Sequence, residues 1–223
     1  MPVPSLLAVF AHPDDESLSA GGVLARHASA GARTAVVTAT WSADSPRATE
    51  LAGALHILGA GPPRMLGHAD SRVPHSAPGS PRWCDAPLDE AARELVAHLR
   101  DFRPEIVVTH DAYGGLTGHE GHVHTHRVTT LAVHAAGLER LCPDAGEPWQ
   151  PSALYLATHP HSAARAWGVH LAPRARRCAR SRTHTSPPPS TSPPGRAGRS
   201  RPSWPTARRW RGEPPRASSP PSP

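Results

Sequence analysis

Near the amino terminus, Ala11-His12-Pro13-Asp14-Asp15-Glu16 sets an imidazole and two adjacent aspartates directly behind the apolar run Ser5-Leu6-Leu7-Ala8-Val9-Phe10. A short apolar run reads as a buried strand, and Pro13 disfavours helix at His12, so the strand ends there. Open α/β sheets bind their ligands at the carboxyl ends of strands. His and Asp suit a hard-to-borderline divalent ion such as zinc, and a carboxylate left free of the ion can act as a base. The alternative is that these carboxylates cap the helix that follows.

A second group, Gly118-His119-Glu120-Gly121-His122-Val123-His124-Thr125-His126, follows the apolar strand Ile106–His110 and the loop from Asp111 to Gly121. Two strand-end loops of a doubly wound sheet can converge on one crevice, which would bring His119 and His122 against His12, Asp14 and Asp15. Three protein ligands and an open fourth position form the pattern of a catalytic zinc site, and His12, Asp15 and one loop histidine satisfy it. With a helix beginning near His122, His126 lies one turn on and His124 points to solvent.

The elements that must position these residues alternate. Helix is predicted over Ser17–Ala30, with Leu18, Val23, Leu24 and His27 at near-helical spacing, Gly31 as its stop, and Gly21-Gly22 marking close packing or substrate approach. A β-branched strand follows at Thr34–Thr40, then a helix over Arg47–Leu58 with Leu51, Ala54, Leu55 and Leu58 on one face, and a short strand at Arg64-Met65-Leu66. Gly67 to Ala86 is a long polar loop of a kind usually functional or mobile. Leu88–Phe102 is amphipathic, His122–Ala136 completes the helices, and Ala153–Ala157 is a last strand. Strand–helix alternation with continuous apolar strands predicts an α/β fold, a Rossmann-like, mostly parallel sheet with helices on both faces. The first strand-to-helix turn lacks GxGxxG and no GxSxG follows a strand, so neither a dinucleotide site nor a serine hydrolase is supported.

Charge divides the chain. The formal net charge of the 223 residues is +6, but residues 171–223 hold 12 Arg against the single acid Glu213, a local +11. The preceding 170 residues, with 12 basic and 17 acidic side chains, stand at −5. Thirteen of those last 53 residues are Pro, too many and too aperiodic for a core. That tail reads either as a solvated, Arg-rich interaction segment or as a slipped reading frame, since the chain lacks Lys and Asn and GC-rich genes read out of frame yield Arg, Pro, Ser and Ala. Expected are a domain over 1–165 and a disordered or frame-shifted tail over 171–223; nucleic-acid binding would rest on the tail alone. No run of 18 apolar residues and no basic region before Leu6-Leu7 are present, so a soluble, cytoplasmic protein without membrane contact is expected. Cys84, Cys142 and Cys178 are too scattered for a disulfide or metal framework.

With both histidine groups in view, the chain resembles the PIG-L/LmbE-like family of zinc-dependent N-acetylglucosaminyl deacetylases. It lies nearest the mycothiol-pathway branch that deacetylates N-acetylglucosaminyl-inositol. The carrying residues are Ala11–Glu16 and the His119-x-x-His122 pair, supported by Glu16-Ser17-Leu18-Ser19, Arg103–Thr109 and His122–Thr130, over residues 5 to about 160. The resemblance implies His12, Asp15 and His122 as ligands of Zn2+, with Fe2+ accepted by the same set. It implies Asp14 as general base, His119 as a charged or proton-donating partner, and Arg47 and Asp70 as residues that grip an amino-sugar substrate.

The chain also departs from that family. Gly115-Leu116-Thr117-Gly118-His119-Glu120-Gly121-His122 stands where Gly-Tyr-Gly-His-Pro-Asp-His is usual. The substrate-positioning tyrosine is missing, with Tyr113 nearby, and the carboxylate that would orient His119 is displaced onto Glu120 or lost. The family's ordered C-terminal region is replaced from about His170 by the Arg/Pro tail. A metal-binding protein without turnover is therefore the rival expectation.

Overall fold

The computed structural model describes residues 2–159, so the tail expected over 171–223, and the end of the domain expected over 1–165, lie outside the described residues. The elements run β1 (Leu6–Phe10), α1 (Asp15–Ser29), β2 (Thr34–Thr40), α2 (Pro46–Leu58), β3 (Arg64–His68), α3 (Leu88–Phe102), β4 (Ile106–His110), α4 (Glu120–Ala136) and β5 (Ala153–Ala157). Single 3-10 turns lie at Pro74–Ser76, Trp83–Asp85 and Pro143–Ala145. The strands form one sheet in the order β3-β2-β1-β4-β5, every neighbouring pair parallel. Strand order reverses between β1 and β4, and the loops leaving those two strands carry the two histidine groups.

Both faces of the sheet are covered, which is why its central strands read as unbroken apolar runs. On one face Ala20 and Leu24 of α1 and Leu51 and Leu55 of α2 pack on Leu6, Ala8, Phe10 and Val36. On the other, Leu95, Val96 and Leu99 of α3 and Val128, Ala132 and Val133 of α4 pack on Leu7, Val9, Val37 and Val107. Each fully buried leucine here contributes about 2 kcal/mol by area removed from water.

Several boundaries and faces differ from expectation. Helix α1 starts at Asp15 rather than Ser17, and α4 at Glu120 rather than His122. Leu18 and Val23, expected on the packed face of α1, are 57% and 47% exposed. The buried side is instead the small-residue one, Ala20, Gly21 and Leu24. A Cβ on Gly21 would sit 3.8 Å from Glu16 O and from Leu58 Cδ2, ordinary contact distances, so the expected close packing does not itself require glycine there. Strand β3 extends to His68, and Trp83, in the loop read as polar, is 1% exposed.

The end of α4 is fastened from α3. Arg100, 3% exposed, donates to the carbonyls of Ala136 (3.1 Å), Leu138 (3.0 Å), Leu141 (2.7 Å), Cys142 (2.6 Å) and Gly146 (3.0 Å). A helix C-terminus presents unpaired carbonyls and partial negative charge, and a guanidinium answers both. Among the described residues, no helix is long and apolar enough to cross a membrane.

Candidate metal centre

The loop leaving β1 is anchored before it turns. Ala11 O accepts from Thr40 N–H (2.9 Å) and from the Thr40 hydroxyl (2.8 Å), and Ala11 N–H donates to His110 Nε2 (3.2 Å). Asp14 then takes φ 112°, ψ −27°, a left-handed conformation that costs a non-glycine residue about 1–3 kcal/mol. Asp14 is the N-cap of α1, yet its side chain makes no capping bond. Glu16, 0% exposed, supplies the local bonding instead: it accepts the Asp14 N–H (3.0 Å) and the Ser17 hydroxyl (2.6 Å). The capping alternative therefore does not hold for the Asp14 carboxylate, which is free for other work.

Asp15 turns inward. Its Oδ2 accepts the His12 N–H (2.9 Å) and lies 3.1 Å from His12 Nδ1. His12 Nδ1 is 3.2 Å from His122 Nε2, and His122 Nε2 is 3.3 Å from Asp15 Oδ1. His12 Nδ1 thus contacts one oxygen of Asp15 and His122 Nε2 contacts the other, the two imidazole nitrogens being 3.2 Å apart. A tetrahedral ion with ligands at about 2.0–2.1 Å requires about 3.3 Å between donors, and each of these contacts is near that value; the donor groups that converge closely enough to hold an ion are His12, His119 and His122, and Asp15, His110 and His122. His122 Nδ1 lies 3.2 Å from Gly114 O; donation to that carbonyl leaves the Nε2 lone pair facing the cradle.

Electrostatics follow from burial and these contacts. Burial alone would raise the Asp15 carboxyl, but the imidazoles of His110, His12 and His122 gathered around it hold it well below the usual carboxylate range. Burial would likewise lower His12, but Asp15 and Asp70 carry it up to about 9. His12 Nε2 is 2.5 Å from Asp70 Oδ2, off the line of the ring N–H, so the contact is an ion pair and the buried nitrogen lacks an aligned hydrogen-bond partner.

The remaining expected residues fall around this cradle. His119 caps α4 with its side chain: Nδ1 accepts the Gly121 N–H at 3.0 Å, which makes the ring a neutral Nε2–H tautomer. Burial, then the charges of His12, Arg72 and His122, push it down to about 3. It stands edge-on to His12 at 4.6 Å, with Nε2 4.0 Å from Asp70 Oδ2. Glu120 is exposed at the first position of α4, so the bond that orients His119 comes from backbone. A Cβ on Gly121 would come within 3.2 Å of His119 Nδ1, so a larger residue there would press on that ring.

Arg47 donates to Pro13 O (2.5 Å), Asp14 Oδ2 (2.6 Å) and Glu50 Oε2 (2.9 Å). Asp70, 5% exposed, accepts from the Arg72 (2.6 Å) and Val73 (3.0 Å) N–H groups through Oδ1. His124, expected to face solvent, packs edge-on against Trp83 at 5.0 Å, because the long loop folds Trp83 over that side of α4. His126 Nδ1 lies 2.9 Å from the His110 carbonyl and so ties α4 to β4.

Two residues escaped the sequence reading. His110, 3% exposed, stacks on His122 with centroids 4.0 Å apart and planes 6° apart, and its Nε2 is 3.4 Å from Asp15 Oδ2. Its signal was available: it closes β4 as His12 follows β1. The other is Glu16, whose place two residues beyond an N-cap is where a carboxylate can reach back to backbone.

The model of the family GlcNAc-PI de-N-acetylase (PIG-L) matches residues 7–133. A protein of Rhodococcus opacus (strain B4), called 1D-myo-inositol 2-acetamido-2-deoxy-alpha-D-glucopyranoside deacetylase, is 42% identical over 176 residues, 67% of this chain and 60% of that protein. A Mycobacterium leprae (strain TN) protein of the same name is 40% identical over 190 residues, 72% of this chain and 61% of that protein. The chain thus spans about 60% of the length of these curated relatives. Among solved structures, the conserved protein TT1542 from Thermus thermophilus aligns with TM-score 0.54 and 32% identity, covering 70% of this chain and 68% of that one. The N,N'-diacetylchitobiose deacetylase from Pyrococcus horikoshii shares the fold at TM-score 0.57 and 18% identity, covering 82% of this chain and 72% of that one. A family match over more than half the chain, falling on the very loops that build the cradle, assigns it: this protein belongs to the GlcNAc-PI de-N-acetylase family.

Proposed function

We propose that the chain is a metal-dependent N-deacetylase that hydrolyses the acetamide of an N-acetylglucosaminyl sugar, with N-acetylglucosaminyl-inositol as the leading substrate. The observation that carries this reading is the convergence of His12 Nδ1, His122 Nε2 and the two Asp15 carboxylate oxygens through contacts of 3.1–3.3 Å. An imidazole–imidazole–carboxylate set suits Zn2+ and accepts Fe2+. When bound, such an ion supplies a Lewis acid for the amide carbonyl and lowers the pKa of water in its shell.

The protein's own groups divide the remaining work. Asp14, with no capping duty, takes the proton of the attacking water as general base. His119, neutral and with Nδ1 already occupied, presents Nε2–H as a hydrogen-bond donor to the oxygen that gains charge. This narrows the role expected of it from charged partner to neutral donor. Arg47 keeps the sugar-gripping role that the resemblance implies, since one guanidinium offers five N–H donors. Asp70 we assign differently. Both of its oxygens are engaged inside the protein, one against His12, so it orients a ligand histidine rather than the sugar.

The test joins metal analysis of the purified protein to amine release from N-acetylglucosaminyl-inositol and from simpler N-acetylglucosamine glycosides. Stoichiometric metal with amine release, lowered to a small residual rate in Asp14→Asn at unchanged metal content, is expected. Bound metal without release would instead make the chain a metal-binding protein without turnover.

A further inference from the structure

We propose that Glu16 is a positioning residue for Asp14: its buried carboxylate, by accepting the Asp14 N–H, holds the left-handed backbone that turns the Asp14 side chain away from the helix it begins and toward Arg47. The inference rests on the reading of Asp14 as the base.

Four observations meet here. Asp14 is exposed at its side chain yet sits at φ 112°, a conformation that an Asp does not hold without support. An N-cap aspartate ordinarily folds its carboxylate onto the N–H two or three positions on, and this one does not. Glu16 is 0% exposed, and its two oxygens have separate duties, Oε2 on the Asp14 N–H at 3.0 Å and Oε1 on the Ser17 hydroxyl at 2.6 Å. From the other side Arg47 grips Pro13 O and Asp14 Oδ2. The strained residue is therefore braced at its N–H by Glu16 and at its carboxylate by Arg47. A buried carboxylate spent on one backbone N–H is costly unless that N–H must be fixed, and the first turn of α1 offsets part of the cost through its dipole.

Without the brace, Asp14 is free to relax to an ordinary N-cap, with its carboxylate on α1 and withdrawn from Arg47. His12 and Asp15 stay tied through the His12 N–H, so ligand geometry does not depend on Glu16.

The experiment compares wild type, Glu16→Gln and Glu16→Leu in Zn2+ affinity of the metal-free protein, in kcat and KM for amine release, in hydrogen exchange at the Asp14 amide, and in crystal structures. An amide oxygen accepts more weakly than a carboxylate, so effects should be graded, Gln between wild type and Leu. Glu16→Leu should bind Zn2+ within about twofold of wild type and keep KM, while kcat falls about ten- to a hundredfold, as misplacement of a reacting group does. On an Asp14→Asn background the same change should lower kcat no further. A merely structural role would instead lower metal affinity and kcat together and act equally on both backgrounds, which overturns the proposal. The crystal structures separate the two possible failures. If wild type shows no turnover but Asp14 leaves the left-handed region in Glu16→Leu, the deacetylase reading falls and the brace stands. If Asp14 stays near φ 112° in Glu16→Leu, the brace is overturned whatever the activity. Should Glu16→Leu not fold, Glu16→Gln decides: faster exchange of the Asp14 amide supports the proposal, and unchanged exchange overturns it.

Discussion

Arg47, in the first turn of α2, and Asp14, the N-cap of α1, meet at 2.6 Å, with the same guanidinium reaching Pro13 O. The pair is partly open to water, the two side chains being 31% and 52% exposed. Exposed pairs contribute about 0–1 kcal/mol, so Arg47→Met should move the melting temperature little. Its kinetic effect should be larger, because the cation both steadies the base and offers spare donors to a sugar. We expect kcat/KM to fall about tenfold or more, with KM raised, and Zn2+ affinity unchanged; steady-state kinetics with parallel metal titration checks this.

Metal uptake should depend on pH with a definite sign. In the metal-free protein His12 is raised to about 9, so below that pH an incoming ion must displace a proton from it. Apparent affinity should therefore climb with pH, about tenfold per unit below 9 where one proton is displaced, and level off above it. Competition titrations with a chelating dye at several pH values, and proton release in weak buffer, measure both halves. Asp70→Asn removes one of the two carboxylates that raise His12, so it should shift the levelling-off to lower pH.

Removing Arg100 should be among the most damaging single changes. Arg100→Leu fits the volume of the stem but strands carbonyls of Ala136, Leu138, Leu141, Cys142 and Gly146 that the guanidinium now serves. A loss of about 3 kcal/mol in urea unfolding is expected, the scale of a broken buried network. Zn2+ affinity of the fraction that folds should be unchanged, because the cradle lies on other loops.

Trp83 offers a smaller and cleaner measurement. Its Nε1–H donates to Thr125 Oγ1 at 2.8 Å, and that hydroxyl donates to Gly121 O at 2.8 Å. Trp83→Phe and Thr125→Val should each cost about 1–2 kcal/mol. Because they share one bond, the double variant should cost less than the sum, as a double-mutant cycle in denaturant would show.

Much of this was legible in the sequence where the physical signal is local. The β-branched runs that became β2 and β4 and the amphipathic stripe of α3 declare themselves through periodicity, and their strand and helix types agree with the structure. That His12, Asp15 and His122 come together was readable from strand-end placement and resemblance together. Leu18 and Val23 misled because α1 packs by small residues, a preference hydrophobic spacing does not report. His124 misled because its partner, Trp83, arrives from a loop whose composition reads as polar. Asp70 and Glu16 show the deeper limit. What a carboxylate does depends on which N–H or ring it meets, and for Asp70 that partner is 58 residues away in His12.

The cradle also has a history within each molecule. His12 and His122 are 110 residues apart, one following β1 and the other in the first turn of the helix that follows β4, the two strands that flank the reversal of strand order. A chain growing from its amino terminus exposes His12 and Asp15 long before His122 leaves the ribosome, and two donors alone make a poor site. An ion held by these residues would be captured late and would act as a clasp across that seam. If it bound the folded protein and not the nascent one, saturating it at a hundredfold over its Kd would add about 2.7 kcal/mol to the folded state. Chelation would then loosen the sheet where its two halves join.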